Sequence, residues 1–329
     1  RENWLRKLKI MDQLFDIDLK KISSSQKEVF DRKKNLELFL KKGLPNKRDE
    51  NWKFTDLNFI INKNFKNIKN NNDFVFDEKI KLIDDFDHNH ILLVNGLLKS
   101  YDMRFEEEEK VKIESLNSFE ALKSYSDNNL YYLNKALSLG GYYLEVHKNY
   151  KCKKPIVIYN YFTSNLDNKI INSSNKINLN QNSELTLIEY NIDNKSKFFK
   201  NTFEKIKIDN GSVLKCINIQ KTKSNAYFYK NISGSQNYNS SYQNFILSSG
   251  LKFNKIEIEI NLDKENCNCY ILSGLSLGKE EHQEIKTQIN HLAPNCKSYQ
   301  KIKNVLENNS NGVYQGKIFV KDIAQKTDA

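Results

Sequence analysis

Hydrophobic and polar positions alternate along the second part of the chain. From Gly140 onward, apolar side chains fall on every second residue, as at Leu144 and Val146 and again at Ile156 and Ile158. Successive side chains of a β-strand point to opposite faces, so this period predicts short strands that each bury one face. No stretch with helical spacing separates these strands. The region is therefore predicted to be mainly β.

The alternating region contains a weak internal repeat. Residues 177–187 align without a gap on residues 206–216, and each copy is predicted to form a strand, a polar turn and a second strand. Residues 258–260 and 267–269 fit a third copy if one residue is inserted in the turn. One copy cannot bury its apolar face alone but stacked copies can, which is typical of a β-solenoid. A β-sandwich would also contain many short strands, and the shared turn position favours the solenoid.

Helical spacing is confined to the first part of the chain. Residues 1–43 are predicted to be helical, with a capping box at Ser25 and Glu28 that satisfies free amides of the first turn. Residues 113–138 form a second stretch of helix-like apolar spacing. Between these stretches, residues 91–96 predict a buried strand that ends in an Asn-Gly turn.

Charge and composition argue against several classes of partner. The formal net charge is +11, but lysines are interleaved with acidic residues and form no sustained block with aromatic residues, so no nucleic-acid partner is expected. No apolar run approaches the ~20 residues that a membrane span needs. Residues 1–10 are too charged for a secretory signal. Five cysteines without a Cys-x-x-Cys pair indicate a reducing compartment, and the cytoplasm is expected.

The sequence contains no known catalytic motif. Phosphate loops, dinucleotide-binding turns, zinc-protease helices and serine-hydrolase elbows are all missing, so the chain is predicted not to be an enzyme. A β-helix that acts on polysaccharide stays open as an alternative. Such an enzyme needs paired carboxylates in one groove, and acidic residues on adjacent predicted coils, such as Glu184 and Asp209, do not align. A metal-free interaction module is the third hypothesis.

The candidates for metal chemistry are cysteine and histidine side chains. Cys267 and Cys269 share a strand face with Ile271, which favours core packing, although two thiolates with two further ligands could bind a metal. His291 and Cys296 flank a proline turn. Imidazole and thiolate both suit iron, so these two residues are the candidate ligands of a transient iron–sulfur species. The alternative is a hydrogen-bonded histidine at a strand end beside a buried cysteine.

Two strings far apart in the chain resemble one protein family. Residues 44–57 read Leu-Pro-Asn-Lys-Arg-Asp-Glu-Asn-Trp-Lys-Phe-Thr-Asp-Leu, and residues 282–329 end in Gln-Lys-Thr-Asp-Ala. Both strings resemble the SufB/SufD family of iron–sulfur assembly proteins, and in particular its D-subunit branch. The alternative for the first string is a loop that Trp52 and Phe54 pin against the core.

The resemblance implies a fold and a function. The family fold is a right-handed parallel β-helix behind a helical domain, which implies a helical or α+β region at residues 1–130 and the core at residues 131–329. The implied function is that of a non-catalytic scaffold subunit in iron–sulfur cluster assembly. Such a subunit pairs with a SufB-like subunit, is coupled to a SufC-like ATPase and serves apoprotein acceptors.

The resemblance also implies where cluster chemistry takes place. This chain alone is expected to bind no cofactor tightly, and a transient iron–sulfur cluster is expected at a subunit interface. The family's Cys-Ser-His-Gly-like segment and the helices that dock the ATPase subunit would follow Ala329. The plastid stroma is the alternative to the cytoplasm for such a system.

Overall fold

The computed structural model describes residues 19–20, 22–65, 69–70, 80–116, 128–192, 196–221 and 223–328. Its helices are α1 (Gln26–Lys42), α2 (Leu57–Asn64) and α3 (Asn129–Leu137), with a 3₁₀ turn at Glu50–Trp52. Its strands, in chain order, are β1 (Lys69–Asn70), β2 (Asn89–Val94), β3 (Leu97–Asp102), β4 (Val111–Ser115), β5 (Tyr142–Val146), β6 (Ile156–Tyr161), β7 (Lys169–Leu179), β8 (Glu184–Ile192), β9 (Phe199–Ile208), β10 (Val213–Gln220), β11 (Tyr227–Gln236), β12 (Ser241–Ser249), β13 (Phe253–Leu262), β14 (Asn268–Leu277), β15 (His282–His291), β16 (Lys297–Leu306) and β17 (Asn311–Val320). No helix within these ranges has the length and apolar content that a membrane crossing requires.

Strands alternate between two sheets as the chain winds from coil to coil. Sheet A has the order β17-β15-β13-β11-β9-β7-β5-β4 with β1 beside β7, and sheet B has the order β16-β14-β12-β10-β8-β6-β2-β3. From β5 onward, neighbours in each sheet are two strands apart in the chain and run parallel. The described residues make about six turns. Parallel ladders between consecutive coils belong to a solenoid and not to an antiparallel sandwich, so the predicted mainly β solenoid is confirmed.

Consecutive coils stack in the register that the internal repeat predicts. Ile177 stands opposite Ile206 in sheet A, and Leu187 stands opposite Cys216 in sheet B. All four side chains belong to one aliphatic core inside the solenoid.

The position predicted for the third copy is wrong by two residues. Ile206 aligns through β11 with Ile260, whereas the repeat placed Ile258 there. In sheet B, Cys216 aligns through β12 with Ile271, whereas the repeat placed Cys269 there. A shift of two residues keeps every side chain on the same face, so a period-two pattern does not detect it. The predicted insertion of one residue in the turn is correct.

One corner of the solenoid is built from a repeated two-residue turn. A residue with positive φ is followed by a small buried residue that directly precedes a strand of sheet B. The positive-φ residues are Asn182, Gly211, Asn239, Asn266 and Asn295. The small residues are Ser183, Ser212, Ser240, Cys267 and Cys296, which we call the Ser/Cys column. Asparagine tolerates the left-handed region better than most residues, so a chain with 11 glycines can repeat this turn.

The helical region packs against the outer face of sheet A. Aromatic side chains of β9, β11 and β13 that point away from the solenoid interior form a second core with α1, α2 and α3. Tyr131 lies edge-on to Phe203 with ring centroids 5.5 Å apart, and Trp52 lies 5.4 Å from Tyr229. This part of sheet A is therefore covered on both faces.

The predicted start of the first described helix is confirmed, but the helix is shorter. The Ser25 hydroxyl accepts a hydrogen bond from the Glu28 amide at 3.2 Å, and the Glu28 carboxylate accepts one from the Ser24 amide at 2.8 Å. The helix ends before Gly43, whose φ is 75°. Residues 19–20 and 22–25 of the predicted helix are not helical, and residues 1–18 and 21 lie outside the described residues.

The helix predicted at residues 113–138 is wrong over its first part. Ile113 belongs to β4, which pairs antiparallel with β5, so a partner later in the chain outweighs local spacing. Residues 117–127 lie outside the described residues, and α3 is helical as predicted. The strand and turn predicted at residues 91–96 are confirmed. β2, β3 and β4 precede residue 130 and belong to the two sheets. The division into two domains after residue 130 stays a prediction.

Candidate functional site

His291 is the last residue of β15, and its ring is fully buried. Its Nε2 lies 2.9 Å from the Ser298 hydroxyl of β16. Among the described residues, Nδ1 has no hydrogen-bond partner. Burial lowers the pKa of the imidazole, so the ring is neutral near pH 7 and links the end of β15 to β16 across the turn.

Cys296 belongs to the Ser/Cys column and faces Cys267 of the preceding coil. Its Sγ lies 3.3 Å from the Lys264 carbonyl oxygen, and the Cys267 Sγ lies 3.0 Å from the same oxygen. A hydrogen bond between the two thiols lowers the pKa of Cys296 and raises the pKa of Cys267. The first thiolate of the pair therefore forms more easily than the second.

The two candidate ligands have separate sets of contacts. The ring of His291 contacts Ser298, whereas the thiol of Cys296 contacts Cys267. In the part of the chain that the structure describes, no three His, Cys, Asp or Glu side chains are grouped closely enough to hold a metal ion. The geometry is that of a hydrogen-bonded histidine at a strand end beside a buried cysteine. The role of His291 and Cys296 as iron ligands stays a prediction.

The other cysteines pack in the core. Cys267 and Cys269 are fully buried together with Ile271 in the aliphatic interior, as predicted. Cys216 lies in the same core, and the partly buried Cys152 packs against it. Burial raises the pKa of Cys152 to about 12 and raises the pKa of Cys216 further. These thiols are therefore protonated near neutral pH.

A group of charged side chains that the sequence did not predict lies inside the solenoid. Lys230 Nζ lies 2.5 Å from Glu189 and 3.3 Å from Glu204, and Lys200 Nζ lies 3.8 Å from Glu189. We call these four residues the interior charge cluster. Glu189, Lys200 and Lys230 border a cavity of about 50 Å³ between the sheets. A signal was present, because Lys200 and Glu204 hold the same strand phase as the buried Ile206.

The two lysines of the interior charge cluster differ in their electrostatics. Burial lowers the pKa of Lys200 to about 8, and the attraction of Glu189 is too weak to offset this effect. Burial alone would also lower the pKa of Lys230, but Glu189 and Glu204 outweigh it and raise that pKa. Lys230 is therefore the cation that neutralises the carboxylates, and Lys200 is the cation that loses its proton more easily.

The string at residues 44–57 is fastened to the outer face of sheet A. The Trp52 ring lies 4.3 Å from Lys255 Nζ, and the Thr55 hydroxyl donates to Glu284 at 2.5 Å. Lys255 and Glu284 are fully buried and form an ion pair of 2.5 Å. Phe54, in contrast, is 46% exposed. The prediction that two aromatic residues pin this loop is therefore correct for Trp52 and wrong for Phe54.

The carboxylates considered for the polysaccharide hypothesis are held by separate neighbours. Glu184 pairs with Lys215 at 3.2 Å. Asp209 accepts a hydrogen bond from the Asn237 side chain at 2.9 Å. Each carboxylate is thus engaged in its own coil contact, an arrangement that does not resemble the facing pair of a glycosidase.

The last described coil presents an apolar end. Within residues 223–328, no further strand follows β16 or β17 in its sheet, apart from a bridge between Asp328 and Lys297. Exposed strand edges can pair with a strand from another chain. The exposed apolar side chains of this coil, which we call the end face, are Tyr299, Val305, Leu306, Tyr314, Ile318, Phe319 and Val320.

Two family models match the chain. The model described as "SUF system FeS cluster assembly, SufBD core domain" matches residues 161–329, and the model described as "SufBD protein N-terminal region" matches residues 7–158. No curated protein matches the chain at a significant level. The core match alone covers more than half of the chain and includes the regular coils from β7 onward. The chain therefore belongs to the SufB/SufD family of the SUF system for iron–sulfur cluster assembly.

Proposed function

We propose that this chain is a SufD-like, non-catalytic scaffold subunit of a SufBCD-type complex. The observation that carries the proposal is the match of both family regions, which together span the helical region and the solenoid. The choice of the D branch rests on the string at residues 44–57 and on the Gln-Lys-Thr-Asp-Ala string at residues 325–329. The first of these strings fastens the helical region to sheet A, so it has a structural role in this fold.

The end face is the surface that we propose for a SufB-like subunit. A β-solenoid of the same family has strands at the same spacing of about 4.8 Å, so its edge can extend sheets A and B by strand addition. Such pairing buries apolar side chains, among them Ile318, which is 43% exposed.

The energy for assembly is proposed to come from a SufC-like ATPase, because no phosphate-binding loop occurs in this sequence. The iron–sulfur cluster is the cargo, held transiently between subunits and passed to apoproteins in the cytoplasm, with the plastid stroma as the alternative. His291 and Cys296 are the ligands that this chain would contribute. His291 stands opposite Val320 of the end face, one strand below the proposed interface.

Co-expression with the cognate SufB-like and SufC-like subunits tests the assembly. Size-exclusion chromatography with light scattering is expected to show one complex that contains all three chains. Ile318→Lys places a charge on the end face and is expected to abolish co-elution of the SufB-like subunit while the variant itself stays folded. Phe30→Lys is the matched control, because Phe30 is 67% exposed on α1. A native chain that elutes apart from both subunits contradicts the proposal.

Anaerobic reconstitution with iron and sulfide separates the scaffold from a metal-free interaction module. The purified complex is expected to gain the visible absorption of an iron–sulfur species. Cys296→Ser and His291→Ala are expected to reduce this absorption, whereas Cys269→Ser is expected to leave it unchanged. A complex that assembles but stays colourless supports the metal-free module.

A further inference from the structure

We propose that Cys267 and Cys296 form a redox-active dithiol that an oxidant of the glutathione-disulfide class converts into a disulfide between two coils. This inference concerns a modification site and does not rest on the proposed scaffold function. It is carried by the stacking of the Ser/Cys column and by the contacts of the two sulfur atoms.

The backbone places the two cysteines side by side. Cys267 directly precedes β14 and Cys296 directly precedes β16, and the residues that follow them, Asn268 and Lys297, are paired in register. The Lys297 amide donates to the Cys267 carbonyl oxygen at 2.9 Å. Adjacent strands lie about 4.8 Å apart, which is within the range of about 4.4–6.8 Å that disulfides span between Cα atoms.

The two sulfur atoms converge on one backbone oxygen. Cys267 Sγ lies 3.0 Å and Cys296 Sγ lies 3.3 Å from the Lys264 carbonyl oxygen. Rotation of two side chains, without a rearrangement of the coils, is therefore the movement that brings the sulfur atoms to bonding distance.

The Ser/Cys column itself shows that the turn does not require thiols. The Ser212 and Ser240 hydroxyls donate to turn carbonyl oxygens at 2.7 and 2.5 Å. A hydroxyl is a stronger hydrogen-bond donor than a thiol, so cysteine brings no advantage to this contact. What two adjacent cysteines add is the capacity to exchange two electrons.

The reaction proceeds by two thiol–disulfide exchanges. The thiolate of one cysteine attacks glutathione disulfide, forms a mixed disulfide and releases one glutathione thiol. The thiolate of the second cysteine then attacks the mixed disulfide, forms the Cys267–Cys296 bond and releases the second glutathione thiol. The two cysteine protons and two electrons thus end on two molecules of glutathione.

Access to the site depends on the segment that lies over Cys296. The Asp328 amide donates to the Cys296 carbonyl oxygen at 3.0 Å, and the Asn295 amide donates to the Gln325 carbonyl oxygen at 3.0 Å. Both cysteines are fully buried, so the oxidant reaches them when this segment opens locally. We expect oxidation of the native protein to be slower than oxidation of an exposed thiol and fully reversible by dithiothreitol.

The experiment is peptide mapping of native protein after incubation with glutathione disulfide. Trypsin releases Cys267 and Cys269 in residues 265–279 and Cys296 in residues 287–297. After quenching with acid and alkylation without reduction, these two peptides are expected to appear as one linked species. The linked species is expected to be lighter than the two reduced peptides together by two hydrogen atoms.

Serine variants identify the linked thiols. Cys269→Ser is the matched control and is expected to keep the linked species, whereas Cys267→Ser and Cys296→Ser are expected to lose it. The last two variants should fold, because serine occupies the same column position in three other coils. The oxidised form of Cys269→Ser should also melt at a higher temperature than its reduced form, since the disulfide lowers the conformational entropy of the unfolded chain. Peptides that link only after unfolding, or a link that persists through Cys269 in Cys267→Ser, overturn the proposal.

Discussion

Replacement of Glu284 by glutamine tests the contact that fastens the N-terminal string to sheet A. Glu284 forms a fully buried ion pair with Lys255, whose Nζ also donates to the Asn51 carbonyl oxygen at 2.8 Å. Glutamine keeps the size of the side chain but removes its charge. The Lys255 ammonium would then be buried beneath the Trp52 ring with only a longer ion pair, of 3.5 Å, to Glu257.

Two lines of reasoning give a similar magnitude for this change. Burial alone would raise the pKa of Glu284, but the contact with His282 and the Lys255 ammonium outweigh it and lower the pKa from 4.5 to about 2. Each pKa unit corresponds to about 1.4 kcal/mol, so the charged form is favoured by roughly 3 kcal/mol. Removal of one partner from a buried ion pair costs about 3–5 kcal/mol. We therefore expect Glu284→Gln to lower the free energy of unfolding by about 3 kcal/mol.

Urea unfolding followed by tryptophan fluorescence measures this effect. The chain has two tryptophans, so a Trp4→Phe background makes the emission report Trp52 alone. Glu259→Gln is the matched control, because Glu259 is exposed on β13 and glutamine can still accept the hydrogen bond from Asn290. This control should stay within about 0.5 kcal/mol of the parent.

A double variant separates the effect of the Lys255 charge from other effects of the substitution. Lys255→Met in the Glu284→Gln background removes the buried ammonium that has lost its closest counter-charge, so it should recover most of the lost stability. If Glu284→Gln unfolds like the parent, or if the double variant is as unstable as the single one, the ion pair does not hold the string in place.

Three further predictions concern the interior charges, one close backbone contact and the repeated turn. Lys200→Met should preserve or raise stability at pH 7 while Lys230→Met should lower it by about 3–5 kcal/mol, as urea unfolding will show. The pKa of Lys200 is lowered from 10.5 to about 8 by folding, so the unfolded chain binds more protons than the folded chain between pH 8 and pH 10.5. The free energy of unfolding should therefore rise with pH over this range in the native chain and rise less in Lys200→Met. Equal pH dependence in the two proteins contradicts this prediction. Gly141→Ala should abolish soluble expression, since a Cβ would meet a β7 carbonyl oxygen, whereas Gly278→Ala, 3.3 Å from a movable carboxylate, should express normally. Asn266→Ala should cost about 1 kcal/mol in thermal unfolding because its φ is 60°, and Asn266→Gly should cost less; the reverse order would count against a left-handed turn.

The solenoid could be predicted because its coils repeat the same local plan. Strand, turn and strand have nearly constant lengths, so Ile177 and Ile206 fall at the same point of consecutive coils. Alternation of apolar residues then fixes which side chains face inward. It does not fix how far a strand has advanced, because any even shift preserves the faces. This is why the repeat predicted Ile258 at the position that Ile260 occupies in the structure.

The pairing of charges within the interior charge cluster could not be predicted from the same pattern. A lysine or glutamate in a strand normally indicates the solvent face, because a single buried charge is strongly unfavourable. Lys230 and Glu189 are buried together because their strands, 41 residues apart in sequence, bring opposite charges within 2.5 Å. The local spacing of either strand contains no trace of this partner. The pairing of charges between coils decides whether these side chains can be buried, and the sequence of a single strand does not show that pairing.

The candidate ligands show the same limit at the scale of a turn. His291 and Cys296 are close in sequence and flank Pro294, yet their described contacts go to different partners. In a solenoid, the nearest neighbour of a side chain is usually the residue one coil away. The acceptor of the Cys296 thiol lies 32 residues earlier in the chain, and its thiol partner is Cys267 of the preceding coil. Sequence proximity is therefore the wrong measure for assembling a site in this fold, and the coil repeat is the right one. The coil repeat thus identifies Cys267 as the neighbour of Cys296.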